Sequence, residues 1–173
     1  MKLIRTNSDN SDFQSLGALL DKDLKIRDGD EHEFYVQYNK IDHIKNAVVA
    51  VIEEKAVGCG AFKPYSADTA EIKRMYVKPE FRGQRIAQNI LTELEAWAGE
   101  SGFTTAVLET GLKQPEAIRF YERSGYGRIE NYGQYAGVEN SVCMQKIIAR
   151  KTHNELNPIS RPSKFSPRWN REI

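Results

Sequence analysis

Between Ala47 and Phe62 the chain reads AVVAVIEEKAVGCGAF, two apolar runs divided by the charged triplet Glu53, Glu54 and Lys55. Apolar runs of this length, rich in valine, predict strands buried on both faces, and the short polar joint predicts a tight hairpin. Such a hairpin cannot face water on either side, so the rest of the chain has to supply two covering layers. It does so at helical period. Upstream, Phe13, Leu16, Leu19, Leu20 and Leu24 recur at helical spacing behind polar Asn, Ser and Asp residues suited to capping, and Gly29 closes the run. Downstream, Ile86, Ile90, Leu94 and Trp97 form a stripe widened by Ala87, Leu91 and Ala98, which ends at Gly99 or Gly102.

KLIR predicts a first strand, AEIKRMYV a strand stopped by Pro79, and TTAVLET another. PEAIRFYERSGY predicts a short helix with Pro at its start and Gly at its end. DEHEFYVQYNKI is compatible with a second short helix or with a loop, and strand material recurs from Tyr126 to Ile129 and in SVCMQKII. The order β-α-(α)-β-β-β-α-β-α-β-β predicts an α/β (α+β) fold, a single domain over residues 1–148 with a central mixed sheet and helices on both faces. Residues 149–173 are basic, carry Pro and Ser, and lose periodicity, which reads as an extended C-terminal tail.

With 173 residues and a formal net charge of +1, no global field advertises nucleic acid or a membrane surface as the main partner. The basic tail interleaves Phe165 and Trp169 with arginines and lysines, as single-strand binders do, but packing along the domain is the better expectation for so neutral a chain. Cys59 and Cys143 lack metal-ligand spacing, so no metal is expected and a reducing compartment is. MKLIRTNSDNSDF turns polar after four residues, unlike a secretory signal, and no apolar run is long enough to cross a bilayer. A cytoplasmic protein is expected.

The chemistry concentrates in three places. In VKPEFRGQRIAQNI, Pro79 stops a strand and Gly83 lets the backbone approach a ligand, and the unsatisfied N–H groups of a helix start follow. Arg82 and Arg85 add charge, and Gln88 lies one turn on. The stretch alone is compatible with a phosphate cradle or with a solvated basic turn. On the strand AEIKRMYV, alternation places Glu71, Lys73, Met75 and Val77 on one face. On the short helix, Tyr121 offers a phenol beside Phe120.

Taken together, the strand-loop-helix-strand-helix order, the turn from Arg82 to Ala87 and the later AIRFYERSGY resemble the GNAT superfamily of acyl-CoA N-acyltransferases, over roughly residues 44–148. That resemblance implies acetyl-CoA as the acyl donor. Arg82, Gly83, Gln84, Arg85, Ile86, Ala87 and Gln88 would hold its pyrophosphate, and the backbone at Met75, Tyr76 and Val77 its pantetheine arm. Arg85 stands where the family has Gly, which is tolerable if the backbone there is already helical. Gln114, Ala117 and Tyr121 match the family's second motif, with Gln for Asn. Tyr121 is thereby implied as the acid that protonates the departing thiolate, and Glu71 as the general base. The implied activity is direct acetyl transfer to a primary amine of a small molecule, amino acid or peptide, without a covalent enzyme intermediate. A non-catalytic acyl-CoA-binding module is the alternative. Acceptor residues are expected in DGDEHEFYVQYN and ENYGQYAGVENS, and a homodimer is compatible with the family.

Overall fold

The computed structural model describes residues 1–41 and 43–148; the tail assigned to 149–173 lies outside the described residues. Seven strands form one mixed sheet in the order β1-β2-β3-β4-β5-β7-β6. They are β1 (Lys2–Thr6), β2 (Asn46–Ile52), β3 (Lys55–Pro64), β4 (Thr69–Val77), β5 (Thr105–Gly111), β6 (Gly127–Ile129) and β7 (Ser141–Ile147). The helices are α1 (Ser11–Asp28), α2 (His32–Val36), α3 (Ile86–Glu100) and α4 (Pro115–Arg123). The order and type of elements agree with the pattern of the sequence, and the ambiguous DEHEFYVQYNKI resolves into a 3-10 turn followed by α2.

Local chemistry explains the boundaries. The Asn10 side chain caps α1 by accepting from the Phe13 N–H at 2.9 Å, and Gly29 ends that helix at φ 55. Glu53 and Glu54 both take positive φ in the two-residue turn between β2 and β3, as the twist of a tight hairpin demands.

The two covers sit as the periodicity requires. Phe62, Ile72, Val77 and Leu108 pack against Ile90, Leu91 and Leu94 of α3 on one face of the sheet. Ala47, Val49, Cys59 and Tyr76 meet Phe13 and Leu16 of α1 on the other. Leu19 is exposed, so the apolar stripe of α1 is narrower than its sequence suggests. A third cluster joins Tyr35 of α2 to Tyr135 and Cys143.

One expectation fails in an instructive way. Glu71, Lys73, Met75 and Val77 do not share a face, because β4 carries a bulge. Cys59 pairs with Tyr76 and Ala61 with Lys73, so Arg74 and Met75 together oppose the single residue Gly60. Arg74 sits at φ 59, a left-handed backbone that costs an ordinary residue about 1–2 kcal/mol. The extra residue resets the alternation. Ile72, Met75 and Val77 point toward α3, whereas Arg74 and Tyr76 join Glu71 and Lys73 on the other face. A Cβ at position 60 would run into Met75 Sδ, Ile90 and Leu94, so the residue opposite the bulge has to be glycine.

Arg74 is held in this conformation from α1. Its Nη1 donates to Asp21 Oδ1 at 2.9 Å and its Nη2 to the Gly17 carbonyl at 2.8 Å. These charge-assisted bonds offset the local strain and fix α1 across the bulge.

Candidate active site

Downstream of the bulge the sheet opens. The parallel ladder between β4 and β5 pairs Thr69 with Thr105, Ala70 with Ala106 and Glu71 with Val107, and goes no further. A bulge bends and twists its strand, so β4 veers away from β5 and leaves a wedge between them. Within the wedge, the β5-facing backbone of β4 from Ile72 to Val77 has no strand partner.

Two chambers occupy this wedge. The first, of about 120 Å³, is lined by Ile72 to Met75 of β4, Glu109 to Gly111 of β5, and Leu20, Leu24 and Asp28 of α1, with Tyr35 and Asn39 beyond. The second, of about 360 Å³, takes in Met75, Tyr76 and Val77 and runs between α1 and α4. Gln114, Ala117 and Tyr121 of α4 line both, so α4 stands where the chambers meet. A third groove of about 600 Å³ shares Val77, Arg82, Gly83, Ala87 and Phe120 with the second and reaches Arg85, Gln88 and Arg123.

The turn before α3 offers groups suited to an anion. Gly83 has φ 79 and nothing within 4 Å of an added Cβ, which leaves its backbone open to a ligand. The first N–H groups of α3 have no helical acceptor, and Arg82, Arg85 and Arg123 surround them. Arg82 is partly committed, since its Nε donates to the Val77 carbonyl at 2.9 Å and its Nη2 to Asp23 at 3.4 Å. Gln88 accepts from Ser124 Oγ at 2.9 Å and so ties α3 to α4. Gln84 is exposed and lies outside the lining of both grooves.

Arg85 departs from the expected helical backbone. It is the N-cap of α3 at φ 61 and ψ 17, the left-handed region where glycine is cheapest. Arg85→Gly is therefore expected to raise unfolding stability by about 1 kcal/mol. Denaturant titration checks this; an unchanged or lower midpoint would show that the arginine side chain stabilises the turn by more than its backbone costs.

The structure separates the acid and base candidates. Tyr121 is 8% exposed and lines both chambers; burial, followed by the nearby charge of Glu109, pushes its phenol pKa upward, so it keeps its proton at neutral pH. Glu71 is 2% exposed and lies outside the lining of the first chamber. Its Oε2 accepts from the Tyr132 hydroxyl at 2.7 Å, and Oε1 faces Lys73 at 3.6 Å and Lys63 at 3.7 Å.

A different carboxylate lines the chamber. Glu109 of β5 has a buried Oε1 without a hydrogen-bond partner. Burial raises its pKa to about 7, against the opposing influence of the Ser141 hydroxyl and the Lys73 charge. Sequence reasoning missed Glu109, although it is the one charged residue in the otherwise uncharged strand TTAVLETG, and that contrast was the available signal.

Of the segments expected to line the acceptor site, only part does so. Tyr35 reaches the first chamber and holds Ser141 Oγ at 3.1 Å. Glu31 and Glu139 line a separate outer recess, while Asn131 braces its own loop through the Val138 and Ser141 carbonyls. His32 lies 3.8 Å from Asp28, whose carboxyl burial shifts upward. Cys59 is fully buried with its thiol pushed up to about 12, and burial also raises Cys143, so neither suits a nucleophile.

The sequence profile of the acetyltransferase (GNAT) family matches residues 13–126. The chain belongs to the GNAT family. A crystal structure described as that of an acyl-CoA N-acyltransferase from Klebsiella pneumoniae shares 30% identity with this GNAT chain at a TM-score of 0.71, covering 86% of this chain and 97% of that one. The uncharacterized N-acetyltransferase YjgM of Escherichia coli K12 is 31% identical over 117 residues, 66% of this chain and 69% of that protein. The IAA acetyltransferase of Azospirillum brasilense is 35% identical over 96 residues, and the match spans 53% of this chain and 61% of that protein's length. An aminoglycoside 6'-N-acetyltransferase crystallised with coenzyme A has the same fold at 19% identity and a TM-score of 0.65. Among the described residues, no helix of this GNAT chain is long and apolar enough to cross a membrane.

Proposed function

We propose that this GNAT protein is an N-acetyltransferase that moves the acetyl group of acetyl-CoA directly to a primary amine. One observation carries the reading: the open wedge of β4 and β5 joins an arginine-rich anion groove at one end to a chamber holding a buried carboxylate and a buried phenol at the other. The donor fits what the residues offer. Gly83, the start of α3, Arg82, Arg85 and Arg123 suit its phosphates, and the unpaired β4 edge at Met75 and Tyr76 suits its amide-bearing arm. Acetyl-CoA supplies an acyl thioester, an electrophilic carbon with a sulfur leaving group.

The chain's residues then divide the proton transfers. An alkylammonium, with a pKa of about 10, cannot attack until it loses a proton. Glu109 takes that role in preference to Glu71, because it lines the chamber, has an unoccupied oxygen and ionises near neutral pH. Nitrogen forms its bond to the acyl carbon and sheds its second proton to solvent, the carbon–sulfur bond breaks, and Tyr121 hands its proton to the departing thiolate and is reprotonated from solvent. Glu71 positions β4 and the 132–135 loop through Tyr132.

Titration calorimetry of acetyl-CoA against wild type and Arg85→Gly tests the donor assignment. Saturable wild-type binding is expected, weakened about tenfold when the arginine charge is lost. Absence of wild-type binding would defeat the reading. Equal affinity of the two proteins would remove Arg85 from the phosphate site.

A further inference from the structure

The last rung of the β4–β5 ladder joins Glu71 to Val107. Lys73 and Glu109 stand two residues beyond that rung on their respective strands, so the parallel register sets them level with each other on one face of the sheet. Here the strands have splayed apart, and both residues line the 120 Å³ chamber. Each lies within the other's electrostatic reach. They nevertheless form no ion pair: the carboxylate beside Lys73 is Glu71, at 3.6 Å, and Glu109 Oε1 has no partner among the described residues.

Glu71 does not exhaust the charge of Lys73. It is also held by the Tyr132 hydroxyl and by Lys63, so two other donors already serve it. The Lys73 ammonium keeps a side-chain exposure of only 10%, one long contact to the Tyr135 hydroxyl at 3.4 Å, and donor capacity to spare. The next residue on β4 carries a second unmet donor. Arg74 is 5% exposed and lines the same chamber; its Nη groups are bound to Asp21 and Gly17, but its Nε–H is buried without an acceptor. Buried polar groups left unpaired in this way are costly unless a ligand satisfies them.

An ammonium and a guanidinium N–H on one strand, and on the other a carboxylate with one unpaired oxygen, belong to residues lining one chamber and together complement a molecule with opposite charges at its two ends. We propose that the acceptor is a small zwitterion, a primary amine that also bears a carboxylate or similar oxyanion. It binds with its amine toward Glu109 and its anion toward Lys73 and the Arg74 Nε–H. This assignment rests on the reading of the chain as an acetyl-CoA-dependent N-acetyltransferase. At about 10–15 Å³ for each enclosed water, the 120 Å³ of the chamber admits on the order of ten non-hydrogen atoms, room for an amino acid of modest side chain. The anion-facing groups also decide against a plain alkylamine, which would leave both donors unmet.

The test uses the full chain with acetyl-CoA and follows thiol release on matched acceptors: β-alanine against propylamine, and β-alanine against its amide. The expected result is a kcat/KM for the carboxylate at least about tenfold above either counterpart that lacks it, as one charge-assisted contact supplies. Lys73→Met should collapse that preference mainly through KM, and Lys73→Arg should restore part of it. Equal or better use of propylamine would overturn the proposal, as would an unchanged preference in Lys73→Met. Failure to acetylate any of these amines by a protein that binds acetyl-CoA would also overturn it, while leaving the donor reading intact. Failure to bind acetyl-CoA would overturn both.

Discussion

Glu109→Gln is expected to lower turnover of a primary alkylamine by about 10²–10⁴-fold near neutral pH, the range general-base catalysis supplies. The proposed base works only when ionised, so the acid limb of kcat/KM should fall as pH drops through about 7, and Glu109→Gln should lose that limb. Stability separates this from a structural role. The folded-state pKa lies above the ordinary 4.5, so the carboxyl stabilises the fold when protonated, below 4.5, and that contribution disappears as pH rises through about 7. Wild type therefore loses stability between these values, by a few kcal/mol at most, given roughly 1.4 kcal/mol per pKa unit. Glu109→Gln should show no such decline and should equal or exceed wild type in thermal midpoint at pH 8. An active Glu109→Gln, or one that keeps the limb near pH 7, would return the base role to another group. Glu71→Gln is the control: it removes the charge that Lys63 and Lys73 face, keeps an amide oxygen that can accept from Tyr132, and should reduce stability while leaving the limb in place.

The architecture was legible because each layer carried its own period. Valine-rich runs marked β2 and β3, and the i, i+4, i+8 stripe marked α3; both emerged as expected because burial on one or two faces leaves few alternatives. What sequence concealed was the bulge. Nothing in AEIKRMYV distinguishes a regular strand from one with Arg74 at positive φ, since the cause lies on other elements: Gly60 across the ladder, and Asp21 with the Gly17 carbonyl on α1. That single insertion moved Met75 and Val77 to the opposite face from Glu71 and opened the wedge. The choice of Glu71 as base candidate rested on that same regular alternation. Alternation joined Glu71 to Met75 and Val77, and only the splayed register shows Glu109 level with Lys73. The turn before α3 was readable in outline from Pro79, Gly83 and the arginines, but the left-handed backbone of Arg85 was not, because an arginine gives no sign of a conformation that glycine would advertise.

Tyr121→Phe should cost about 10²-fold or more in kcat with little change in acetyl-CoA affinity, because it removes a proton donor and keeps the ring. The ring is structural in its own right. It packs at 5.0 Å from Phe120 and 5.8 Å from Tyr126 in the core beneath α4, and phenylalanine preserves both contacts. Loss of kcat without loss of binding or of thermal midpoint would then isolate the hydroxyl. The pH profile adds a second criterion. Burial and the charge of Glu109 raise the phenol above its ordinary value, so the wild-type rate should persist well into alkaline pH. Leaving-group chemistry supplies a third. A thiolate of lower basicity needs less protonation, so an acyl donor with a more acidic thiol should recover much of the deficit in Tyr121→Phe and none of that in Glu109→Gln. In the proposed mechanism the two variants thus separate two transfers: Glu109 would govern the proton that frees the amine for attack, and Tyr121 the one arriving at sulfur. A Tyr121→Phe protein with wild-type kcat, or one whose defect ignores the thiol, would place the second proton transfer on solvent.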